Sequence, residues 1–530
     1  MLASLGKNIV PEQQYLGLTI HIRPTCPQPL LPFPEYWDGP LPAGDPEIRI
    51  PEQHEFECLN LCMSIPRTAL HHDSSSKLPV YVYIHGGAFM AGSQSLQLSG
   101  RELYDGSHFV RSSIQASKPI IVLTINYRVG PLGFLASKEL TEFNQANGEA
   151  VGNYGLHDQR QALEWIAKFV SGFGGDPDNV TINGTSAGGA SCHYQCMFAD
   201  RKFRRAILSS GTALGIGPIA ESQHQPIFDN FVKAFVPTGS ESYAVKILQE
   251  VPVDKFVTTV PILITSPVVD NDYIPKDWAM ELHSEGAPDI MLGACDFEAD
   301  IGRLMISDLT DIHNMTPLPN DLILKNARTN FRFNGLPKPT GTFPDSAPEV
   351  CERYQISQRG LAQPRDSFEG WVQLLTDVVF RFPPLYIART ASRAERTRKV
   401  YLYEFRAPNP YAPGTMWHGR ANHGVNDLFV FNPAEDLVGD NVRPGFVTAV
   451  KTVQEKWLDF IHGNSPWTAC NDTGRPGTCF IFDDGEKCHE AASLVEAVGK
   501  EKSDQWESIW SMTQRVKRSG HMSANGRQIR

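Results

Sequence analysis

The stretch that decides the fold is Val180-Thr181-Ile182-Asn183-Gly184-Thr185-Ser186-Ala187-Gly188. Its first residues, Val180 to Ile182, predict a strand, and the small residues that follow Ser186 predict the start of a helix. Gly-x-Ser-x-Gly between a strand and a helix is the pattern of a nucleophile elbow, a sharp turn that exposes the serine hydroxyl at the carboxyl edge of a sheet. A plain Gly-rich turn is the alternative, and the flanking strand and helix favour a nucleophilic Ser186.

A second turn of small residues, His85-Gly86-Gly87-Ala88-Phe89, follows the predicted strand Val80 to Ile84. Residues without bulk let backbone N–H groups approach the negative charge that develops on a substrate oxygen during acyl transfer. We therefore expect the N–H groups of Gly87, Ala88 and Ala187 to form an oxyanion hole. A simple glycine turn is again the alternative, but two such turns in this chain order are much less expected by chance.

Around these turns, strand-like apolar runs alternate with helix-like amphipathic ones from Pro79 onward. This alternation predicts an α/β fold with a large, mostly parallel central sheet covered by helices on both faces. Helical stripes are predicted within Gln159 to Val170 and Val447 to Ile461. The further strands are predicted at Ile120 to Ile125, Ala206 to Leu208, Ile290 to Leu292 and Val400 to Tyr403.

Composition excludes several classes of protein. The 530 residues are 41% hydrophobic and 20% charged, which is ordinary for a globular chain, and the formal net charge of -11 argues against a nucleic-acid partner or an anionic membrane surface. No apolar run approaches the ~20 residues of a membrane-spanning helix. The ten cysteines and the histidines show no spacing typical of a metal site, so we expect no metal and no cofactor, and a small-molecule partner.

A longer series of motifs resembles one family. These motifs lie across most of the chain and include Glu57-Cys58-Leu59, Asn126-Tyr127-Arg128, Gly152-Asn153-Tyr154-Gly155-Leu156, Phe173-Gly174-Gly175-Asp176-Pro177 and Ser210-Gly211, together with the two turns. Jointly they resemble the type-B carboxylesterases, which include cholinesterase-like enzymes and fungal lipases. The resemblance implies an α/β-hydrolase fold with cap-like insertions and a Ser-His-Glu triad in the chain order serine, acid, histidine.

The resemblance also places the other two triad members. Leu292-Gly293-Ala294-Cys295-Asp296-Phe297-Glu298 resembles the strand end that carries the family's acid, which points to Glu298, with Asp296 and Asp300 as nearby rivals. His423-Gly424 ahead of the apolar run Leu428 to Phe431 resembles the family's catalytic histidine. His418-Gly419 is the rival, and the distance to the apolar run favours His423.

Three further features follow from the same resemblance. Cys26 and Cys58 match both ends of a loop that the family closes with a disulfide. Trp37 lies inside that loop, where an aromatic residue binds ligand in cholinesterase-like relatives, and it is assigned with Phe89 to a substrate pocket. The alternative for Trp37 is an aromatic anchor that fixes the Pro-rich loop to the core.

The chain is predicted to form one catalytic unit with three parts. Residues 1–78 are Pro-rich and are expected to be an irregular edge segment, residues 79–510 form the α/β-hydrolase core with a cap-like insertion around 310–366, and residues 511–530 form a basic, disordered tail. No signal-peptide pattern follows Met1, which favours an intracellular location, although relatives of this kind are often secreted. The oligomeric state is left open.

Together these features predict a serine carboxylic ester hydrolase that works through an acyl-enzyme on Ser186. An acyltransferase or a lactonase with the same triad is the nearest alternative, because an alcohol can release an acyl-enzyme as water does. A non-catalytic binding protein of the cholinesterase-like kind is a second alternative. The chain keeps Ser186, Glu298 and His423 together, which argues against it.

Overall fold

A computed structural model describes most of the chain. The described residues are 15–17, 23–29, 52–70, 77–98, 100–259, 266–276, 278, 288–298, 348–357, 367–393, 398–411, 417–472 and 477–511.

A ten-stranded sheet forms the centre of the molecule, in the order β1-β2-β6-β3-β7-β8-β11-β12-β13-β14. The seven strands from β6 to β13 run parallel to one another, while β1, β2 and β14 are antiparallel at the two edges. Two short pairs, β4 with β5 and β9 with β10, lie outside the sheet. The strands are β1 (Tyr15–Gly17), β2 (Leu61–Pro66), β3 (Leu78–Ile84), β4 (Gln97–Leu98), β5 (Arg101–Glu102), β6 (Ile121–Ile125), β7 (Gly175–Thr185), β8 (Arg205–Ser209), β9 (Ile219–Ala220), β10 (Val268–Val269), β11 (Asp289–Cys295), β12 (Val400–Phe405), β13 (Cys479–Phe482) and β14 (His489–Ala491).

Helices fill the connections between the strands, and a short π-helical segment, Asp377–Arg381, joins two of them. The helices are α1 (Ser107–Gln115), α2 (Gly130–Phe134), α3 (Lys138–Asn147), α4 (Tyr154–Phe169), α5 (Ala187–Gln195), α6 (Glu221–Phe235), α7 (Ala244–Gln249), α8 (Val253–Thr259), α9 (Pro348–Arg353), α10 (Phe368–Thr376), α11 (Phe382–Arg393), α12 (Asn426–Phe431), α13 (Arg443–Ile461), α14 (Leu494–Val498) and α15 (500–511).

The strand β3 shows how the two faces of the sheet are buried. Its residues alternate between two apolar clusters, with Val80 and Val82 on one face and Tyr81 and Tyr83 on the other, and all four are fully buried. Side chains of α4 and α5 complete the first cluster, and those of α1 and α13 complete the second. Burial on both faces explains why the strand is apolar without interruption. The predicted α/β fold with a mostly parallel sheet is confirmed.

The edges of the sheet contain strands that the sequence did not predict. The strand β2 lies within residues 1–78, which were expected to be irregular, and it pairs with β6 and carries β1 on its outer side. The strands β13 and β14 extend the opposite edge and were not predicted. The strands β13 and β14 have only four and three residues, so their alternation is a weak signal. Most of 310–366 and nearly all of 511–530 lie outside the described residues, and the three-part division stays a prediction.

None of the helices in the described part of the chain combines the length and the apolar character that crossing a bilayer requires.

A bidentate ion pair fixes the loop after β6 to helix α4. Asp158 accepts hydrogen bonds from Arg128 Nε at 2.8 Å, from Arg128 Nη2 at 2.7 Å and from the Arg128 backbone N–H at 3.0 Å. The Asp158 side chain is only 7% exposed, whereas the Arg128 side chain is 37% exposed. One carboxylate therefore holds both the backbone and the side chain of the loop.

We expect Asp158→Asn to lower the free energy of unfolding by ~2 kcal/mol, because it removes the charge that faces a half-buried guanidinium. Chemical denaturation followed by circular dichroism measures the change. Asp200→Asn is the matched control, since Asp200 pairs with Arg160 but is 59% exposed, and its effect should stay within ~0.5 kcal/mol. Equal effects of the two substitutions would contradict the special role of the Asp158 pair.

Candidate active site

Ser186 stands at the junction of β7 and α5, where the sequence placed the elbow. Its backbone has φ 61° and ψ −126°, a region that residues with a side chain rarely adopt. Its N–H donates to the carbonyl oxygen of Ser209 at 2.9 Å, and its own carbonyl accepts from Ala190 N–H at 3.0 Å. The turn is thus held by the neighbouring strand β8 on one side and by the first turn of α5 on the other.

Close backbone contacts explain why the elbow needs small residues. A Cβ atom on Gly188 would lie 2.1 Å from the carbonyl oxygen of Ile84, and one on Gly211 would lie 1.9 Å from the carbonyl oxygen of Ser186. Both distances are far inside van der Waals contact. Larger residues at either position would push the elbow off the sheet.

The second turn lies at the end of β3, beside the elbow. A Cβ atom built on Gly86 would lie only 3.1 Å from the Cβ atom of Ser186. Gly87, Ala88 and Phe89 all have positive φ, at 112°, 56° and 61°. The Gly87 carbonyl accepts from Met90 N–H at 3.0 Å, which turns it back into its own loop. Among the described residues, the N–H groups of Gly87, Ala88 and Ala187 donate no hydrogen bond in the structure. The three predicted donors are thus unpaired among the described residues, and the oxyanion hole stays a prediction.

The structure brings Glu298 and His423 together across 125 residues of sequence. Glu298 follows β11 and is fully buried, and its Oε1 accepts from Cys295 N–H at 2.8 Å. Its Oε2 contacts His423 Nδ1. The two loops are joined at the backbone as well, because Phe297 N–H donates to the carbonyl of Ala421 at 2.9 Å. A carboxylate at Nδ1 leaves Nε2 as the nitrogen that can receive a proton.

The rival residues lie elsewhere. Asp296 has a half-exposed side chain that pairs with Arg381 at 3.0 Å, and His418 is exposed with its Nδ1 2.8 Å from the carbonyl of Tyr411. Asp300 lies outside the described residues. The geometry therefore favours Glu298 with His423 as the acid–base pair.

One buried carboxylate at the site was missed by the sequence analysis. Asp427, on α12, accepts hydrogen bonds from Tyr83 OH at 2.5 Å, from Thr185 Oγ1 at 2.7 Å and from Asn426 Nδ2 at 3.0 Å. Thr185 directly precedes Ser186, so Asp427 links the elbow to the segment that carries His423. The only sequence signal was its position four residues after that histidine.

Burial raises the pKa of Asp427 from 3.8 to about 7, and the hydrogen bonds from Tyr83 and Thr185 and the charge of His423 oppose that rise. The hydrogen-bond donors named above are all neutral. Tyr81, Tyr104 and Tyr403 also lie close enough to interact electrostatically with the Asp427 carboxylate. The carboxyl group therefore changes its charge near neutral pH.

The remaining predicted residues fall in different places. Cys26 and Cys58 are both buried, and their side chains contact each other. The contact with Cys58 and, after it, burial raise the pKa of the Cys26 side chain. The Phe89 ring is fully buried and packs 4.9 Å from the ring of Phe134, in the core. Trp37 lies outside the described residues. The disulfide and the pocket roles stay predictions.

In the described part of the chain, no three His, Cys, Asp or Glu side chains gather closely enough to hold a metal ion.

Comparison with known proteins identifies the family of the chain. The sequence model of the carboxylesterase family matches residues 20–473. Mouse bile salt-activated lipase is 28% identical over 90% of this chain and 79% of its own length. Lipase 3 of Yarrowia lipolytica is 26% identical over 84% and 79%, and para-nitrobenzyl esterase of Bacillus subtilis is 29% identical over 79% and 76%.

The solved structures agree on the fold. A structure of PNB esterase superimposes with a TM-score of 0.62 at 23% identity, covering 88% of this chain and 85% of that one. A thermophilic PNB esterase gives a TM-score of 0.63 at 24% identity, covering 88% and 86%. The family resemblance seen in the motifs is confirmed.

The raised pKa of Asp427 makes the stability of the fold depend on pH. The folded state binds this proton more tightly than the unfolded state does, so the stabilisation is complete below pH ~4 and is lost as the pH rises towards 7. Asp427→Asn carries no such proton. We therefore expect the Tm of the wild type to fall relative to that of Asp427→Asn between pH 4.5 and pH 7.5, as differential scanning calorimetry would measure.

The control for this pH series is Asp440→Asn, because the Asp440 side chain is fully exposed. Its Tm should run parallel to the wild type at every pH. Parallel curves for Asp427→Asn as well would show that Asp427 is ionised throughout the range, and that burial does not govern its charge.

Proposed function

The chain belongs to the carboxylesterase family, and from this membership we propose that it hydrolyses carboxylic esters through an acyl-enzyme on Ser186, with His423 as base and Glu298 as acid. That the protein is a carboxylic ester hydrolase follows from the family itself. The assignment of the three residues is supported above all by one contact, in which the buried Glu298 carboxylate meets His423 Nδ1.

In the proposed first step, Ser186 attacks the ester carbonyl while His423 Nε2 takes the hydroxyl proton. A neutral serine is a poor nucleophile, so the reaction needs this base within reach. Glu298 fixes the tautomer with the proton on Nδ1 and stabilises the imidazolium that forms. The imidazolium then gives its proton to the departing alcohol, which leaves the acyl group on Ser186.

The oxyanion of the tetrahedral intermediate would lie against the N–H groups of Gly87, Ala88 and Ala187. Each such donor lowers the barrier by ~3 kcal/mol, judged from removals in other serine hydrolases.

In the second step His423 activates a water molecule, which attacks the acyl-enzyme and releases the carboxylic acid product. The relatives named above are lipases and esterases, and we therefore propose that this protein acts on esters with apolar acyl or alcohol parts.

Ser186→Ala should abolish hydrolysis of p-nitrophenyl esters and leave the circular dichroism spectrum unchanged.

His423→Ala and Glu298→Gln should each lower kcat by ~10³-fold or more, and the double variant should be little worse, because triad members act as a unit. The assays are run with and without an added alcohol. A new ester product in place of the free acid would identify a transferase.

Two results would contradict these assignments. Additive losses in the double variant would mean that His423 and Glu298 do not act together. A larger loss in His418→Ala or Asp296→Asn would mean that the wrong histidine or the wrong acid had been chosen.

The geometry of the oxyanion turn leads to a prediction about substrate scope. The carbonyl groups of Gly86, Gly87 and Phe89 all accept hydrogen bonds from protein donors, from His85 Nδ1, from Met90 N–H and from Gly130 N–H respectively. They therefore point away from the space beside the scissile bond, which leaves room for a branched alcohol. We expect esters of tertiary alcohols to be accepted.

A tertiary-alcohol acetate is tested beside the matching primary acetate, with Ser186→Ala as the blank. Rapid turnover of the primary ester with no tertiary hydrolysis above the blank would show that walls other than this turn, such as the region 310–366, set the size of the pocket.

A further inference from the structure

A π-helical segment, Asp377–Arg381, joins α10 to α11, and all five of its residues are buried. A π-helix places an extra residue in one turn, so it changes the direction in which the following side chains point, and such turns recur at functional sites. In this protein the segment places Phe380 against His423 and Arg381 against Asp296, on the loop that carries Glu298.

Phe380 touches the proposed base directly. Its ring centre lies 4.7 Å from that of His423, with the two planes tilted by 55°. Just before the segment, Thr376 Oγ1 lies 3.4 Å from the carbonyl oxygen of Glu298. The same stretch of chain is therefore packed against both members of the pair.

Arg381 fixes this stretch to the loop that carries the acid. Its side chain is only 6% exposed, and its Nη2 lies 3.0 Å from Asp296 Oδ1, two residues before Glu298. The same nitrogen pairs with Glu404. Glu404 belongs to β12 and is in register with Ala294 of β11, the strand from which the acid loop leaves. One guanidinium thus joins the π-helical segment, the acid loop and the neighbouring strand.

We propose that Arg381 is a positioning residue for ester hydrolysis, holding the acid loop and the Phe380 ring so that Glu298 and His423 stay aligned. The inference rests on the proposed function, because that function makes His423 the catalytic base and Glu298 the acid of the triad. Displacing reacting groups by about an ångström can cost about 100-fold in rate. A loss of this clamp should therefore lower kcat and leave substrate binding almost unchanged.

The fold should survive removal of the guanidinium. Burial raises the pKa of Glu404 to about 7 and Arg381 opposes that rise, so without Arg381 the carboxyl group is simply protonated over a wider pH range. Asp296 is half-exposed, and Asp377 keeps Lys502 at 2.9 Å and Tyr354 OH at 2.6 Å. No carboxylate is left buried, charged and without a partner.

The test compares Arg381→Met, Arg381→Lys and Phe380→Leu with the wild type in hydrolysis of a fluorogenic acetate. We expect Arg381→Met to lower kcat by ~10- to 100-fold with KM within ~3-fold, and Arg381→Lys to recover a large part of the loss. Phe380→Leu should lower kcat several-fold. Arg389→Met is the matched control, since Arg389 on α11 pairs with a carboxylate, Glu507, and lies over Trp510 as Arg381 lies over Trp506.

The decisive measurement repeats Arg381→Met in the Glu298→Gln background. A residue that acts through the acid should add almost nothing once the acid is gone, whereas general damage to the fold should multiply the loss. A full additional loss, or an equal loss in Arg389→Met, would overturn the proposal. So would wild-type kcat in Arg381→Met, whatever the effect of Phe380→Leu. Failure of the proposed function would instead appear as normal activity in Ser186→Ala or Glu298→Gln themselves.

Discussion

The site depends on one local constraint, the strained backbone of Ser186 at φ 61° and ψ −126°. Such a conformation costs ~1–3 kcal/mol and persists only where the surroundings determine it. Here β7 is paired on both sides, with β3 and β8, and the Ser186 N–H is taken by the Ser209 carbonyl. Because the serine cannot relax without breaking the centre of the sheet, its position is fixed before any substrate arrives.

The buried carboxylates of this region have different hydrogen-bond partners. Glu298 meets an imidazole and a backbone N–H. Asp427 meets two hydroxyl groups and one amide, which are all neutral, and its pKa rises to about 7. Glu404 reaches a similar pKa although it faces Arg381. For both Asp427 and Glu404 burial is the largest influence on the pKa, and the neutral donors of Asp427 and the guanidinium beside Glu404 oppose it only in part.

The central fold and the core of the site could be predicted from sequence, because both have local signatures. Strands buried on both faces, such as β3 and β7, are apolar without interruption, and the elbow needs its small residues within a few positions of Ser186. The roles of Asp427 and Arg381 could not be predicted in this way. Asp427 meets Thr185 across 242 residues and Arg381 meets Asp296 across 85, and no local pattern signals either contact.

The order of the strands explains how distant segments form one site. The oxyanion turn follows β3, Ser186 follows β7, Glu298 follows β11, and His423 lies in the connection after β12. The carboxyl ends of parallel strands share one edge of a sheet, so these segments meet there whatever their separation in sequence.

The strand β8 lies between the strands that lead to Ser186 and Glu298, the proposed nucleophile and triad acid, and its end connects the two residues. The Ser209 carbonyl holds Ser186 N–H, while Ser210 Oγ accepts from Cys295 N–H at 3.3 Å and Ser210 N–H donates to the Gly293 carbonyl at 2.8 Å. The strand β8 therefore sets the spacing between the two strands that carry the proposed nucleophile and the proposed triad acid. The site is in this sense a property of the sheet, and its precision is limited by how rigidly neighbouring strand ends are held to one another.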